Sequence, residues 1–279
     1  MAGMSDVTAH SPASVPNRLG VTARLGDEDE LVITLHPTEY TTRLGCVRAS
    51  MLVYVVDVVT GIPADTVPDS WTLTSELSVR THAVPAPLLV EGRHRMLRDG
   101  RRSATAEAWL LDDQGRSMGL GVASFSRVER RPDDGPKYHF QIPESFAIFG
   151  SAPPIDEPLQ DAVGLRVVDA AAGIVEVEVG ALLTNPAGTL QGAIVAYVAE
   201  AAAEELLTSL AGEPVLVTEL DVRYLGQARL GAVVRSRARL VAGATEDPLD
   251  GTVVVELVDV ATDRIVTYAV AKGVIPPGR

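Results

Sequence analysis

The chain has 279 residues, 46% of them hydrophobic, enough for one large domain or for two of roughly 140 residues each. Its formal net charge of -13 argues against a nucleic-acid partner, which needs a basic face. One cysteine, Cys46, excludes an internal disulfide and a multi-cysteine metal site.

In chain order, residues 1–18 are rich in Ser, Pro and Ala and read as a loose tail without the pattern of a signal peptide. No apolar run is long enough to span a bilayer, so a soluble, cytoplasmic protein with no membrane partner is expected. Residues 19–128 open with a strand, a turn and a second strand. A helix follows at about 49–59, "ASMLVYVVDVV", apolar nearly all round and therefore expected to be buried on every side. Four strands come next, at about 72–81, 88–97, 103–111 and 117–128, with turns at "RDGR" and "DDQG". Residues 129–162 are charged, broken by Pro and Gly, and read as a connector with a short helix near 145–149. Residues 163–279 then repeat the first series. A strand pair is followed by a helix at 192–210 and by strands at about 215–224, 232–241, 251–260 and 265–274.

The repetition is more than a shared element order. At one offset of 143 residues, Gly45 maps to Gly188, Tyr54 to Tyr197 and Asp57 to Glu200. The segments "LTSELSVR" and "LVTELDVR" match without a gap at the same offset. This is the form of a tandem duplication: two copies of one α+β unit that fold together as an internal pseudo-dimer.

Each central helix carries one carboxylate within its apolar run, Asp57 and Glu200. A charge placed there is costly unless it is paired, hydrogen-bonded or functional, and both a catalytic acid and a group holding loop amides fit. Glu204 and Glu205 read as a solvated helix end. The loop before the second helix, "TNPAGTLQG", offers Gly188 for a tight turn and the unobstructed Gly192 N–H. Early helix amides have no intrahelical acceptor, and with the helix dipole they suit a developing oxyanion. Asn185 and Gln191 add side-chain amides, which serve equally well as caps and turn formers.

These residues resemble the hotdog-fold thioesterase superfamily, in its phenylacetyl-CoA-thioesterase-like branch. Family members carry Asn, Gly, His-Gly-Gly, an acid nine positions after the His, and a Ser or Thr 18 after the acid. The second copy has Asn185, Gly188, Gln191-Gly192-Ala193, Glu200 and Thr218. The first copy has Thr42, Gly45, Arg48-Ala49-Ser50, Asp57 and Ser75. The resemblance implies a double hotdog: an α+β fold of two curved antiparallel sheets, each wrapping a central helix and joined edge to edge. It also implies composite sites between the halves. Site one would join Asn185, Gln191 and Gly192 to Asp57 and Ser75. Site two would join Thr42, Arg48 and Ala49 to Glu200 and Thr218, with Arg48 able to pair with Glu200 or to hold an anionic group.

The activity implied is hydrolysis of an acyl-CoA or related acyl thioester, without metal or cofactor. Gly192 N–H would polarise the carbonyl, Asp57 would activate water or attack directly, and Ser75 and Asn185 would position the reactants. Met51, Tyr54 and Tyr197 fit core packing better than an acyl pocket, and Arg80, Arg223, Arg101 and Arg102 are available cations. A non-catalytic acyl-CoA-binding or regulatory protein is the main alternative. A hotdog hydratase is a third reading, disfavoured because none of His10, His36, His82, His94 and His139 lies in a central helix. No nucleophile elbow, phosphate loop or zinc-protease motif occurs. Pairing of whole chains into a homo-oligomer is left open.

Overall fold

The computed structural model describes residues 13–26, 30–67, 69–130, 145–147, 153–185, 187–242 and 251–276. In the first part, β1 (Val21–Leu25) and β2 (Leu31–Leu35) precede the short β3 (Thr42–Arg43) and β4 (Cys46–Val47). Helix α1 (Ala49–Ala64) follows, then β5 (Ser70–Thr81), β6 (Val90–Asp99), β7 (Ser103–Asp112) and β8 (Ser117–Glu129). Strand β9 (Ser145–Ala147) and helix α2 (Leu159–Val163) lie in the connecting region. The second part contains β10 (Arg166–Asp169), β11 (Ile174–Glu178), α3 (Gly192–Ala211), β12 (Leu216–Tyr224), β13 (Val233–Ala242), β14 (Gly251–Asp259) and β15 (Arg264–Val274).

Among the described residues, thirteen strands form one antiparallel sheet in the order β10-β11-β13-β14-β15-β12-β5-β8-β7-β6-β2-β1-β9. Read outward from the β12–β5 pair, both sides run through the same kinds of strand. The central register makes the relation explicit. Ser78 pairs with Asp221, Leu77 with Val222 and Val79 with Leu220. Ser78 and Asp221 are themselves 143 apart, so a pseudo-twofold axis passes through that pair. Bulges fall at matching places, between Thr74 and Glu76 on β5 and between Val217 and Glu219 on β12. The architecture is α+β, with helices packed on a large antiparallel sheet, consistent with a double hotdog. The sheets of the two halves join edge to edge, as the resemblance implies, because β12 and β5 exchange ladder hydrogen bonds; the result is one open, continuous sheet without the strong curvature expected of each half.

Helix α1 packs against β2 and β5–β8, and α3 packs against β11–β15. Both are buried nearly all round, as their composition requires. Helix α1 runs past the expected end at residue 59, through Pro63. A proline in the last turn forfeits only one hydrogen bond. Close approach of helix to sheet depends on small strand residues. A Cβ at Gly121 of β8 would stand 2.4 Å from Val56 Cγ2 and 3.1 Å from Val56 Cβ.

Two expectations are corrected. Of the tail, residues 1–12 lie outside the described residues, but 14–18 are packed rather than loose. Ser14 and Val15 are buried, Val15 N–H donates to Leu182 O at 2.9 Å, and Tyr54 Oη donates to Pro16 O at 3.3 Å. The helix expected near 145–149 is a strand at Ser145–Ala147, because it adds to the free edge of β1 through Thr22–Ala147 and Arg24–Ser145. Residues 148 and 149 and the charged part of the connector lie outside the described residues.

The Val56 contact makes a direct prediction. Gly121→Ala forces a methyl against Val56 Cβ, which no rotamer change relieves, and should cost about 1–3 kcal/mol of stability in urea denaturation.

Candidate active site

A cavity of about 460 Å³ opens between the two halves, and all five residues of site one line it: Asp57, Ser75, Asn185, Gln191 and Gly192. The loop that brings them there turns at Gly188, whose φ of +71° suits glycine. Its counterpart Gly45 has a φ of +74°. Asn185 Oδ1 holds the turn by accepting from Ala187 N–H at 3.0 Å and from Thr189 N–H at 3.2 Å. Only its NH2 group is left to meet a ligand.

Gln191 stands at the N-cap of α3. Its Oε1 accepts from Ala193 N–H at 2.6 Å and Ile194 N–H at 3.3 Å. Val195 N–H goes to Gln191 O. Among the described residues, Gly192 N–H alone in the first turn of α3 has no acceptor. The cap therefore leaves one amide of the helix N-terminus facing the cavity, where the dipole favours negative charge. The Gly192 position is hemmed by polar atoms. A methyl there would sit 3.4 Å from Tyr224 Oη and 3.7 Å from Asp57 Oδ2. Tyr224 Oη donates to Gly192 O at 3.1 Å. Burial, and next to it Asp57, push the Tyr224 phenol well above its ordinary range, so it stays a donor at neutral pH.

Asp57 comes from the middle of α1 and is half-buried, open to this cavity. Burial raises its carboxyl above the usual range, and a hydrogen bond from Thr74 opposes that rise. Thr74 Oγ1 donates to Asp57 Oδ1 at 2.7 Å, leaving Oδ2 on the Gly192 side. The hydroxyl partner is thus Thr74 and not Ser75. Ser75 is the extra residue of the β5 bulge, and its Oγ donates to Ser124 O at 3.0 Å. A spacing of 18 finds the bulge and misses the neighbour whose side chain meets the helix. Tyr224 was missed as well; its position in the first copy is Thr81, so the repeat carries no signal for it.

Site two is closed. Glu200 is fully buried, and so is Ala49 at the position matching Gly192. Ser50 Oγ donates to Glu200 Oε2, and Ser50 N–H lies 3.4 Å from Oε1. Arg48 Nη1 is 3.7 Å from Glu200 and 2.9 Å from Glu204, and its guanidinium stacks 5.3 Å over the Tyr197 ring. Arg43 Nε adds a contact to Glu204 at 3.2 Å. Glu204 is therefore buried and paired, which corrects its reading as a solvated helix end. Thr218 is buried at the β12 bulge, and Thr42 Oγ1 is turned to Glu39 O at 3.1 Å. Val217 replaces Thr74 at the matching position, so no hydroxyl stands where Asp57 has its partner. Burial and neighbouring Glu204 push the Glu200 carboxyl up to about 7, against the pull of Arg48 and Ser50.

The remaining candidates divide plainly. Met51, Tyr54 and Tyr197 belong to the core. Arg80 pairs with Asp221 at 2.8 Å and Arg223 with Glu76 at 3.3 Å across the β12–β5 seam, while Arg101 and Arg102 are exposed. No cluster of three or more His, Cys, Asp or Glu able to hold a metal occurs among the described residues. No described helix is long and apolar enough to cross a membrane.

The buried network yields a pH-dependent prediction. Arg48→Met leaves Glu200 and Glu204 without their main cation and should cost about 3 kcal/mol or more at pH 8. A carboxyl whose folded value is raised stabilises below its unfolded value and loses that contribution as pH rises through about 7. Loss of Arg48 extends this effect, so the deficit measured by urea denaturation should be smaller at pH 5 than at pH 8.

No family model matches the chain, and no curated protein sequence matches it. Solved structures do. A provisionally assigned oleoyl thioesterase from Lactobacillus plantarum superposes with a TM-score of 0.61 at 12% identity, covering 88% of this chain and 96% of its own. An acyl-ACP thioesterase from Bacteroides thetaiotaomicron gives 0.56 at 10% identity, covering 87% and 96%. A conserved protein with a hot dog fold from Alicyclobacillus acidocaldarius gives 0.57 at 10% identity, covering 95% and 98%. Likeness at such identities is one of fold: over most of its length the chain shares the fold of these proteins.

Proposed function

We propose that the protein hydrolyses acyl thioesters at the cavity between Asp57 and Gly192. The observation that carries this reading is their convergence. A half-buried carboxylate from α1 and an unpartnered amide at the N-terminus of α3 face one cavity, whereas in the other half Glu200 is buried and paired and Ala49 is buried. The shared fold with the two thioesterases above supports it. The finer resemblance to the phenylacetyl-CoA-thioesterase-like branch makes a CoA-linked substrate the first to try.

Asp57 Oδ2 takes a proton from water as the water oxygen bonds to the thioester carbon. The carbonyl oxygen becomes an oxyanion, held by Gly192 N–H and the α3 dipole. Collapse of this intermediate breaks the C–S bond, and the thiolate takes the proton back from Asp57. Direct attack by Asp57, forming an anhydride that water then opens, begins from the same ionised carboxylate. Thr74 fixes Oδ1 and so aims Oδ2. Asn185 and Gln191 offer NH2 groups for the carbonyl amides of the thiol arm.

Asp57→Asn should lower kcat for acyl-CoA hydrolysis, read as free thiol, by about 100-fold or more. Glu200→Gln should keep kcat within about threefold of wild type, since that carboxyl has no part in the reaction. Wild-type turnover by Asp57→Asn would remove Asp57 from the role, and saturable binding without thiol release would favour a non-catalytic acyl-CoA-binding protein.

The acid limb of the pH profile supplies an independent check. Asp57 must be ionised to accept a proton, and the Thr74 hydrogen bond favours the ionised form. Thr74→Val should move the acid limb of kcat/KM to higher pH; an unmoved limb would mean that the limb reports another group.

A further inference from the structure

We propose that the cavity selects thioesters of uncharged acyl groups and rejects those whose acyl chain ends in a carboxylate. This deepens the thioesterase reading and rests on it. Asp57 is the only charged side chain among the described residues that line the cavity. The lining also includes the polar, neutral side chains of Thr72, Ser126, Asn185 and Gln227. Another part is aliphatic, made by Leu190, Val195, Val234, Leu257 and Val266. Val234 and Leu257 are fully buried.

The cations nearby in sequence are engaged or outside. Arg223, beside Tyr224, is paired with Glu76 on the β12–β5 seam. Arg229, beside Ala228, is exposed and not part of the lining. A substrate carboxylate in this space would thus be buried near an ionised Asp57 with no cation among the described lining residues to compensate either. With the thioester carbon at attack distance from Asp57, the far end of a four-carbon diacid stands about 7 Å from it. Like charges at that distance, in surroundings with an effective dielectric of about 20, disfavour binding on the order of 50-fold. Desolvation of the second carboxylate acts in the same direction.

The test uses two non-hydrolysable thioethers of nearly equal shape, S-(4-methylpentyl)-CoA and S-(3-carboxypropyl)-CoA, titrated calorimetrically into the full chain at pH 8. The expected result is binding of the branched alkyl thioether by wild type on the order of 50-fold more tightly. In Asp57→Asn the ratio should fall to about tenfold or less, because the repelling charge is gone. Equal affinity in wild type, or a ratio unchanged by Asp57→Asn, would overturn the proposal. Turnover of 4-methylpentanoyl-CoA and succinyl-CoA is measured alongside. If neither is hydrolysed but the charge-dependent ratio persists, the hydrolysis reading fails and the selectivity stands.

Discussion

Everything about the candidate site depends on one antiparallel pairing, that of β12 with β5. It joins the two halves of the sheet with Ser78 opposite Asp221. A shift of one residue would turn every side chain of one strand to the other face. Either Leu77 and Val79 of β5 or Leu220 and Val222 of β12 would then leave the core, so burial pins the register. On the outer face Arg80 and Arg223 bridge the same seam. With the register fixed, α1 and α3 lie beside each other with the N-terminus of each near the middle of the other. That arrangement brings Asp57 to Gly192 at one end of the helix pair and Glu200 to Ser50 at the other.

The two ends have the same geometry and opposite chemistry. At one, glycine leaves space beside the first helical amide, threonine holds one oxygen of the acid, and a cavity remains. At the other, Ala49 fills the glycine position, Val217 removes the hydroxyl, and Arg48 and Arg43 neutralise two buried carboxylates. Removing one member of such a network strands a charge in the interior. The closed end is best understood as a clamp between halves. It ties Arg43, Arg48 and Ser50 of one half to Glu200 and Glu204 of the other.

Much of the fold was legible in the sequence. The helix starts at residues 49 and 192 were marked by apolar runs following Gly-containing loops, and the structure begins both helices there. Strands with alternating burial were placed within two residues in most cases, since a period of two is an unambiguous signal. Single-residue departures were not legible. A bulge inserts one residue into one strand of a pair, so a count from Asp57 arrives at Ser75 while the inward position belongs to Thr74. The burial of Glu204 was also hidden, because its cations lie 156 and 161 residues earlier in the chain. The strand at Ser145–Ala147 has the same cause: what makes it a strand is the open edge of β1.

The central claim is that the reacting carbonyl sits between the two halves, against Gly192 N–H and Asp57. A crystal structure of the full chain with a non-hydrolysable acyl-thioester analogue tests it most directly. The account predicts the carbonyl oxygen about 3 Å from Gly192 N, with the carbonyl carbon facing Asp57 Oδ2. An analogue bound with its carbonyl against Ser50 and Glu200, or outside the cavity that Asp57 and Gly192 share, would contradict it.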